Sequence, residues 1–323
     1  MSKEITGMTF NIGELIQMMT AREVYGQVLA EIGQKNPDIV VLTADVMRSN
    51  RTGDFKKVCP DRFFNFGLAE QNMMTAAAGM ALMGKMPFVS TFAVFASMRA
   101  CEQVHTDIAY PNFKVRIVST HGGLTSGCGT THNALEDIAI MRSMANMTVI
   151  VPGDPNQTRK VILATLEYPG PVYIRLGRGM EPLVYQEDYD YRIGRAITVK
   201  DGQDGTIIAC GITVFYALEA AVRLAKEGIN LRVLDMHTIK PLDTEAVLKA
   251  AKETKLIITA EEHSIIGGLG SAVSEAILEA GVSVKFKRLG VPDLYAAIGD
   301  PEQLYAKYGI DGEGIYKQAK ALF

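Results

Sequence analysis

The chain has 323 residues, of which 48% are hydrophobic and 21% are charged, and its formal net charge is −3. The near-neutral balance and the scattered basic residues argue against a nucleic acid or an anionic membrane as a partner. The length favours two domains of about 100–200 residues each, and no uninterrupted apolar run is long enough to predict a membrane span.

Helix-like and strand-like segments alternate over the first half of the chain. Residues 14–34 have helical periodicity, and residues 39–45 (IVVLTAD) form a short apolar run that suits a strand buried on both faces. Strands that alternate with helices of about 10–15 residues indicate βαβ units and a parallel sheet. The further predicted helices are 69–83, 94–110, 133–145 and 155–167, and the further predicted strands are 87–92, 114–120, 147–153 and 171–176.

This alternation stops near residue 180 and resumes near residue 205. The residues between are polar and acidic, which is typical of a linker, with room for one hairpin strand. We predict an α/β fold with two α/β domains, the first over residues 1–185, a linker over 186–204 and a smaller second domain over 205–323. The predicted strands of the second domain are 205–211, 229–236, 255–262 and 282–290, and its predicted helices are 213–228, 243–254 and 268–281.

The four cysteines, Cys59, Cys101, Cys128 and Cys210, are far apart and form no CxxC pair. They are typical of reduced thiols in a cytosolic protein, and a disulfide scaffold is not expected at this length. The first residues are charged and lack the apolar core of a signal peptide. We therefore predict a cytoplasmic location.

Glu70 stands at the head of a run of Ala, Gly and Met that predicts a buried helix, and Phe92 and Phe95 follow at a three-residue spacing. A carboxylate that enters an apolar helix loses hydration, which disfavours its charged form. Such a group can share a proton with a ring nitrogen while a nearby Phe stacks on the same ring. The alternatives are an ordinary Glu that complements a helix dipole and two core aromatics.

The segment 119–136 (STHGGLTSGCGTTHNALE) places His121 just after a predicted strand and His132 at the start of the next predicted helix. The glycines between them let the backbone approach a ligand closely, and helix N-termini attract phosphate. An imidazole can relay protons or bond a hydroxyl group. The alternative is a zinc site formed by the two histidines and Cys128.

Arg175 and Arg178 lie at the end of the predicted strand 171–176. An Arg guanidinium can bind phosphate through two parallel hydrogen bonds, which a Lys does less well. We interpret Arg175 as a candidate phosphate ligand, and an ordinary surface Arg is the alternative for both positions.

Three segments in order, 42–50 (LTADVMRSN), 67–73 (GLAEQNM) and 90–95 (STFAVF), resemble the pyrimidine-binding domain of the transketolase family. The segment 267–277 (GGLGSAVSEAI) resembles the C-terminal domain that transketolases share with 2-oxo acid dehydrogenase beta subunits. The resemblance covers nearly the whole chain. It implies a pyrimidine-binding domain with a parallel sheet, followed by a smaller transketolase C-terminal-like domain.

The resemblance implies a role for each candidate residue. Glu70 would bond the aminopyrimidine of thiamine diphosphate, so that the cofactor acts as its own base, and His132 would contact substrate oxygens near the reacting carbons. The implied catalytic residues are Glu70 and His132, the implied cofactor-binding residues are Asp45, Glu70, Phe92 and Phe95, and the implied substrate-binding residues are Arg22, Ser49, His121, His132 and Arg175.

Two positions depart from the usual transketolase pattern. Met98 stands where many transketolases carry a Tyr, which removes one aromatic wall. Cys128 stands where the family usually carries an Asp tied to recognition of a donor hydroxyl group. This second departure leaves the donor sugar open.

The chain lacks the Gly-Asp-Gly motif through which the family holds the diphosphate and its divalent cation. We therefore expect the C-terminal subunit of a two-chain transketolase, which transfers a two-carbon ketol unit from a ketose phosphate to an aldose phosphate. The implied partner is an N-terminal subunit that holds thiamine diphosphate through Mg²⁺ or Ca²⁺, in an α₂β₂ assembly.

Three other functions remain open from the sequence. They are the beta subunit of a 2-oxo acid dehydrogenase, an enzyme like 1-deoxyxylulose-5-phosphate synthase, and a non-catalytic partner subunit. The paired histidines favour sugar-phosphate chemistry over the first, and deoxyxylulose synthases normally keep all their domains in one chain. The intact Glu70 and Phe95 argue against a non-catalytic partner.

Overall fold

The computed structural model describes residues 18–124, 128–185 and 188–323. The fold is of the predicted α/β class, with one seven-stranded and one five-stranded sheet and helices packed against them. The strands are β1 Met18–Met19, β2 Ile39–Thr43, β3 Phe63–Asn65, β4 Met86–Ser90, β5 Arg116–Ser119, β6 Thr148–Ile150, β7 Val172–Arg175, β8 Glu181–Pro182, β9 Ile197–Lys200, β10 Gly205–Ala209, β11 Leu231–Asp235, β12 Thr238–Lys240, β13 Leu256–Ser264 and β14 Lys285–Val291.

The helices lie between and around these strands. Among the described helices, none is long and apolar enough to cross a membrane. The α-helices are α1 Ala21–Lys35, α2 Met47–Asn50, α3 Gly53–Val58, α4 Glu70–Leu82, α5 Cys101–Gln103, α6 Asp137–Ser143, α7 Pro155–Thr165, α8 Thr213–Ala225, α9 Thr244–Glu253, α10 Leu269–Glu279, α11 Pro301–Tyr308 and α12 Gly312–Lys320.

The seven-stranded sheet has the strand order β12–β6–β7–β5–β4–β2–β3, and the five-stranded sheet has the order β14–β13–β10–β11–β9. Both sheets are parallel except at one edge each, where β12 runs antiparallel to β6 and β9 runs antiparallel to β11. The strand β12 follows β11 in the chain but joins the first sheet. The second half of the chain therefore supplies an edge strand to the first half.

The strand β2 shows why an apolar run without polar interruption becomes a central strand. Its five residues are all buried, and alternate side chains point to opposite faces of the sheet. Val40 and Leu42 belong to the core that contains residues of α4, whereas Ile39 and Val41 belong to the core that contains residues of α1. The prediction of a strand buried on both faces is confirmed.

Two predicted helix starts were wrong, for local reasons. The helix predicted to begin at 14 begins instead at Ala21, and residues 1–17 lie outside the described residues. The hydroxyl group of Thr20 caps this helix because it accepts a hydrogen bond from the main-chain N–H of Glu23 at 3.3 Å. The helix predicted to begin at 133 begins at Asp137, because the main chain of Ala134 pairs with that of Gly123.

Other elements differ from the prediction in shape or were missed. The predicted helix 94–110 is a helical run in which π-helical segments, Phe95–Arg99 and Val104–Ala109, flank α5. The strand predicted in the linker corresponds to β9, although it pairs with β11 rather than in a hairpin with its neighbour. The sequence analysis missed the short elements β1, β3, β8, β12, α2 and α3, and the C-terminal helices α11 and α12.

A glycine in α1 tests how tightly the first domain is packed. A Cβ at Gly33 would lie 2.3 Å from Cε2 of the Phe55 ring, which belongs to the buried core, whereas a Cβ at Gly79 in α4 would have no neighbour within 4 Å. We expect Gly33→Ala to lower the free energy of unfolding by about 1–3 kcal/mol. Gly79→Ala, the matched control, should be neutral or stabilising by up to about 1 kcal/mol because Ala favours a helix. Urea denaturation checks both, and equal effects would contradict the packing.

Candidate functional site

The candidate side chains gather at the carboxyl edge of the seven-stranded sheet. Asp45 follows β2, Phe92 follows β4, His121 follows β5 and Arg178 follows β7, while Glu70 begins α4 shortly after β3. Carboxyl ends of parallel strands meet at one edge, which is where open α/β sheets place ligands. The topology thus brings together residues that are more than 100 positions apart in sequence.

Two phenylalanines and two histidines form a contiguous cluster at this edge. The ring of Phe92 stacks on His121 with a centroid distance of 3.9 Å and lies 5.7 Å from the ring of Phe95. The ring of His132 lies 5.8 Å from Phe92 and 5.6 Å from Phe95. Four of the residues predicted from the sequence are therefore brought into one cluster.

Glu70 is the first residue of α4, and its side chain is only 1% exposed. Both of its carboxylate oxygens lie 3.0 Å from Nη1 of Arg99. The Cζ atom of Arg99 lies 4.2 Å from the centroid of the Phe95 ring. Sequence reasoning missed Arg99, although a cation four residues after Phe95 on the same helical run was a usable signal.

His121 has an unusual backbone and a strongly shifted pKa. Its φ angle is 62°, in the left-handed region that few non-glycine residues adopt, and its Nδ1 lies 2.9 Å from the hydroxyl oxygen of Thr120. Burial first, and then the positive charges of Arg178 and Arg22, lower the pKa of the imidazole to about 3. The ring is therefore neutral near neutral pH.

Arg22 and Arg178 place positive charge beside His121, and Arg51, which pairs with Glu23 at 2.7 Å, acts on Arg22. Burial, followed by the charges of Arg51 and Arg178, lowers the pKa of Arg22. Its Nη1 donates a hydrogen bond to the main-chain oxygen of Ser49 at 3.0 Å, whereas its buried Nε has no hydrogen-bond partner among the described residues. Mutually repelling cations with a buried unsatisfied donor favour an anion at this point.

Arg175 does not lie where its predicted phosphate contact requires. Its side chain is 5% exposed, its Nε donates to Oδ2 of Asp137 at 2.9 Å, and its Nη2 donates to the main-chain oxygens of Ala134 and Glu262 at 3.1 and 2.7 Å. These buried partners satisfy the guanidinium within the protein. The geometry therefore disagrees with Arg175 as a phosphate ligand, whereas Arg178, the second arginine named in the sequence analysis, contributes positive charge at His121.

The remaining candidates lie at the rim of the cluster. Asp45 is exposed with a φ of 59°, and its main-chain N–H donates to Oδ1 of Asn65 at 2.9 Å. His132 is half-buried, and its Nδ1 lies 2.9 Å from the hydroxyl oxygen of Thr131. Cys128 is exposed in the same loop, of which residues 125–127 lie outside the described residues. Their roles in binding stay predictions.

The zinc alternative finds no support in the described part of the chain. In residues 18–124, 128–185 and 188–323, no three His, Cys, Asp or Glu side chains gather as a metal site requires.

Two family models match this chain, and both describe domains of the same enzyme family. Residues 17–182 match the model of the transketolase pyrimidine-binding domain, and residues 194–315 match that of the transketolase C-terminal domain. One of the subunits of the apulose-4-phosphate transketolase of Phocaeicola vulgatus is 43% identical over 94% of this chain and 97% of that protein.

Two further proteins are similar over nearly the same length. A subunit of the 6-deoxy-6-sulfo-D-fructose transketolase of Clostridium sp. (strain MSTE9) is 41% identical over 92% of each protein. A solved structure described as a split gene transketolase, inactive beta4 tetramer, is 46% identical with a TM-score of 0.86, over 94% of this chain and 98% of that one.

The depressed pKa of His121 predicts a pH dependence of stability. In the folded protein the imidazole gains a proton only near pH 3, whereas in the unfolded chain it gains one below about pH 6.5. His121 therefore lowers the free energy of unfolding as the pH falls from about 6.5 to about 3. His121→Asn, which tolerates the left-handed backbone, should remove this loss. Between pH 6 and 5, wild type should lose about 1 kcal/mol more than the variant. Urea unfolding at several pH values measures the difference, and parallel curves would contradict it.

Proposed function

Because this chain belongs to the transketolase family as a C-terminal subunit of the split type, we propose that it forms the pyrimidine-binding half of a thiamine-diphosphate-dependent ketol transferase. The enzyme moves a two-carbon ketol unit from a ketose phosphate to an aldose phosphate. The observation that carries the proposal is the buried carboxylate of Glu70 beside the half-buried ring of Phe95.

The residues present fit the pyrimidine end of the cofactor. The guanidinium of Arg99 already lies over Phe95 and donates to Glu70, so the site accommodates a flat nitrogen-rich group with an N–H donor. When bound, thiamine diphosphate supplies a carbon nucleophile and an electron sink for ketol transfer. Glu70 then holds a proton against the ring nitrogen, Phe95 stacks on the ring, and Phe92 lines the pocket.

The cation group suits the phosphate end of a sugar substrate. Arg22 and Arg178 supply charge-assisted donors, and the neutral imidazole of His121 offers a further contact within the same field. The ring of His132 lies 5.8 Å from Phe92 and 5.6 Å from Phe95, where it can bond substrate hydroxyl groups near the reacting carbons. Asp45 and Ser49 complete the rim of the site.

The cofactor's diphosphate and its Mg²⁺ belong, in this proposal, to an N-terminal partner subunit in an α₂β₂ assembly. The chain lacks the Gly-Asp-Gly motif for that task. The similar structure whose description names a beta4 tetramer is also described as inactive, which supports the need for a second kind of subunit.

The donor sugar is proposed to differ from that of an ordinary transketolase. Cys128 replaces the Asp expected beside His132, and a thiol cannot accept hydroxyl hydrogen bonds as a carboxylate does. The names of similar proteins include apulose-4-phosphate and 6-deoxy-6-sulfo-D-fructose transketolases, so the same framework occurs with unusual sugars.

Glu70→Gln tests the central residue. The amide keeps the size of the side chain but cannot hold the acidic proton, so we expect ketol transfer by the reconstituted pair to fall at least about 100-fold. The assay uses a panel of ketose phosphates with ribose 5-phosphate, and size-exclusion chromatography monitors assembly. Glu31→Gln, on the exposed surface of α1, is the control. Near-normal turnover would remove Glu70 from this role, and turnover of a 2-oxo acid alone would favour the dehydrogenase alternative.

Substitution of Arg178 should affect substrate binding, whereas substitution of Arg175 should affect stability. We expect Arg178→Gln to raise KM for a phosphorylated donor about 10- to 100-fold because a charge-assisted bond to phosphate is lost, while an unphosphorylated donor is unaffected. Arg175→Met should instead lower the free energy of unfolding by about 3–5 kcal/mol, since it leaves the buried Asp137 carboxylate unpaired. Steady-state kinetics and urea denaturation measure the two effects. An Arg178 variant with unchanged KM for both donors would contradict the assignment.

A further inference from the structure

Arg99 occupies the place that the proposed cofactor needs. One guanidinium contacts both recognition groups of the pocket: its Nη1 lies 3.0 Å from both oxygens of Glu70, and its Cζ lies 4.2 Å from the centre of the Phe95 ring. A planar N–C–N unit that stacks on the ring and donates to the carboxylate presents the same chemistry as the edge of an aminopyrimidine. The two groups would therefore compete for the Glu70 carboxylate and for contact with the Phe95 ring.

Arg99 stabilises the chain because it pairs with the buried carboxylate of Glu70. Glu70 is 1% exposed, and a buried carboxylate without a partner is strongly destabilising. Arg99 supplies that partner from a side chain that remains 48% exposed. A long side chain that is nearly half in solvent can leave the pocket by changing rotamers, without unfolding the helical run Phe95–Arg99 that carries it.

We infer that Arg99 is an internal competitor of the cofactor, which fills the pyrimidine pocket of the unloaded subunit and must swing away from Glu70 and Phe95 for loading. The inference rests on the proposed function. Arg99 thereby keeps the buried carboxylate neutralised in the unloaded state and lowers the affinity for the cofactor. When the cofactor binds, it replaces Arg99 as the hydrogen-bond partner of Glu70.

The test compares cofactor affinity in Arg99→Met and wild type, each reconstituted with the partner subunit and Mg²⁺. Isothermal titration calorimetry with thiamine diphosphate should give a dissociation constant about 5- to 30-fold lower for the variant, the scale of a lost ion pair and cation–π contact. The unloaded variant should also unfold at a lower temperature than wild type, since Glu70 loses its partner, and Glu70→Gln combined with Arg99→Met should recover that loss.

Arg159→Met is the matched control, because Arg159 is 46% exposed and pairs with the exposed Glu31 on a different helix. It should leave cofactor affinity within about twofold of wild type, as expected for an exposed surface pair. If Arg99→Met does not fold, Arg99→Gln keeps a donor to Glu70 without the charge and should still tighten binding.

Equal or weaker cofactor binding by the Arg99 variants, with normal binding by wild type, would overturn the inference and leave the proposed function intact. Weaker binding would make Arg99 a direct contact of the bound cofactor instead. No binding by the wild-type pair would contradict the proposed function itself.

Discussion

The need to neutralise a buried carboxylate governs the architecture of this site. Glu70 begins an apolar helix and is almost fully enclosed, so the surrounding chain must offer it a donor in every state of the protein. In the structure that donor is Arg99. The aromatic ring of Phe95 stabilises the guanidinium through its face, which ties the charge of Glu70 to the aromatic cluster beside it.

Charge is distributed in a definite order along the carboxyl edge of the large sheet. The ion pair of Glu70 and Arg99 stands at one end, the aromatic and imidazole rings follow, and the cations Arg22 and Arg178 act on His121 at the other end.

A buried contact at Arg175 joins the two sheets. Arg175 ends β7 and binds the Asp137 side chain of α6 and the Glu262 main chain of β13, so a single buried guanidinium joins the two sheets through their helices and strands. Together with the edge strand β12, this contact makes the second half of the chain part of the scaffold of the first.

The sequence determined the fold class and the central apolar strands, because these signals are local, and the family resemblance singled out Glu70, Phe92, Phe95, His121 and His132 as candidates. The sequence also contained unused local signals: Pro301 at the start of α11 and Asp311 as the N-cap of α12. Tertiary structure alone decided that Arg175 is satisfied inside the protein. Its buried partners Asp137 and Glu262 are 38 and 87 positions away in sequence, and no local pattern around Arg175 predicts them. The pairing of Arg99 with Glu70 likewise joins residues 29 positions apart, which no sequence period could show.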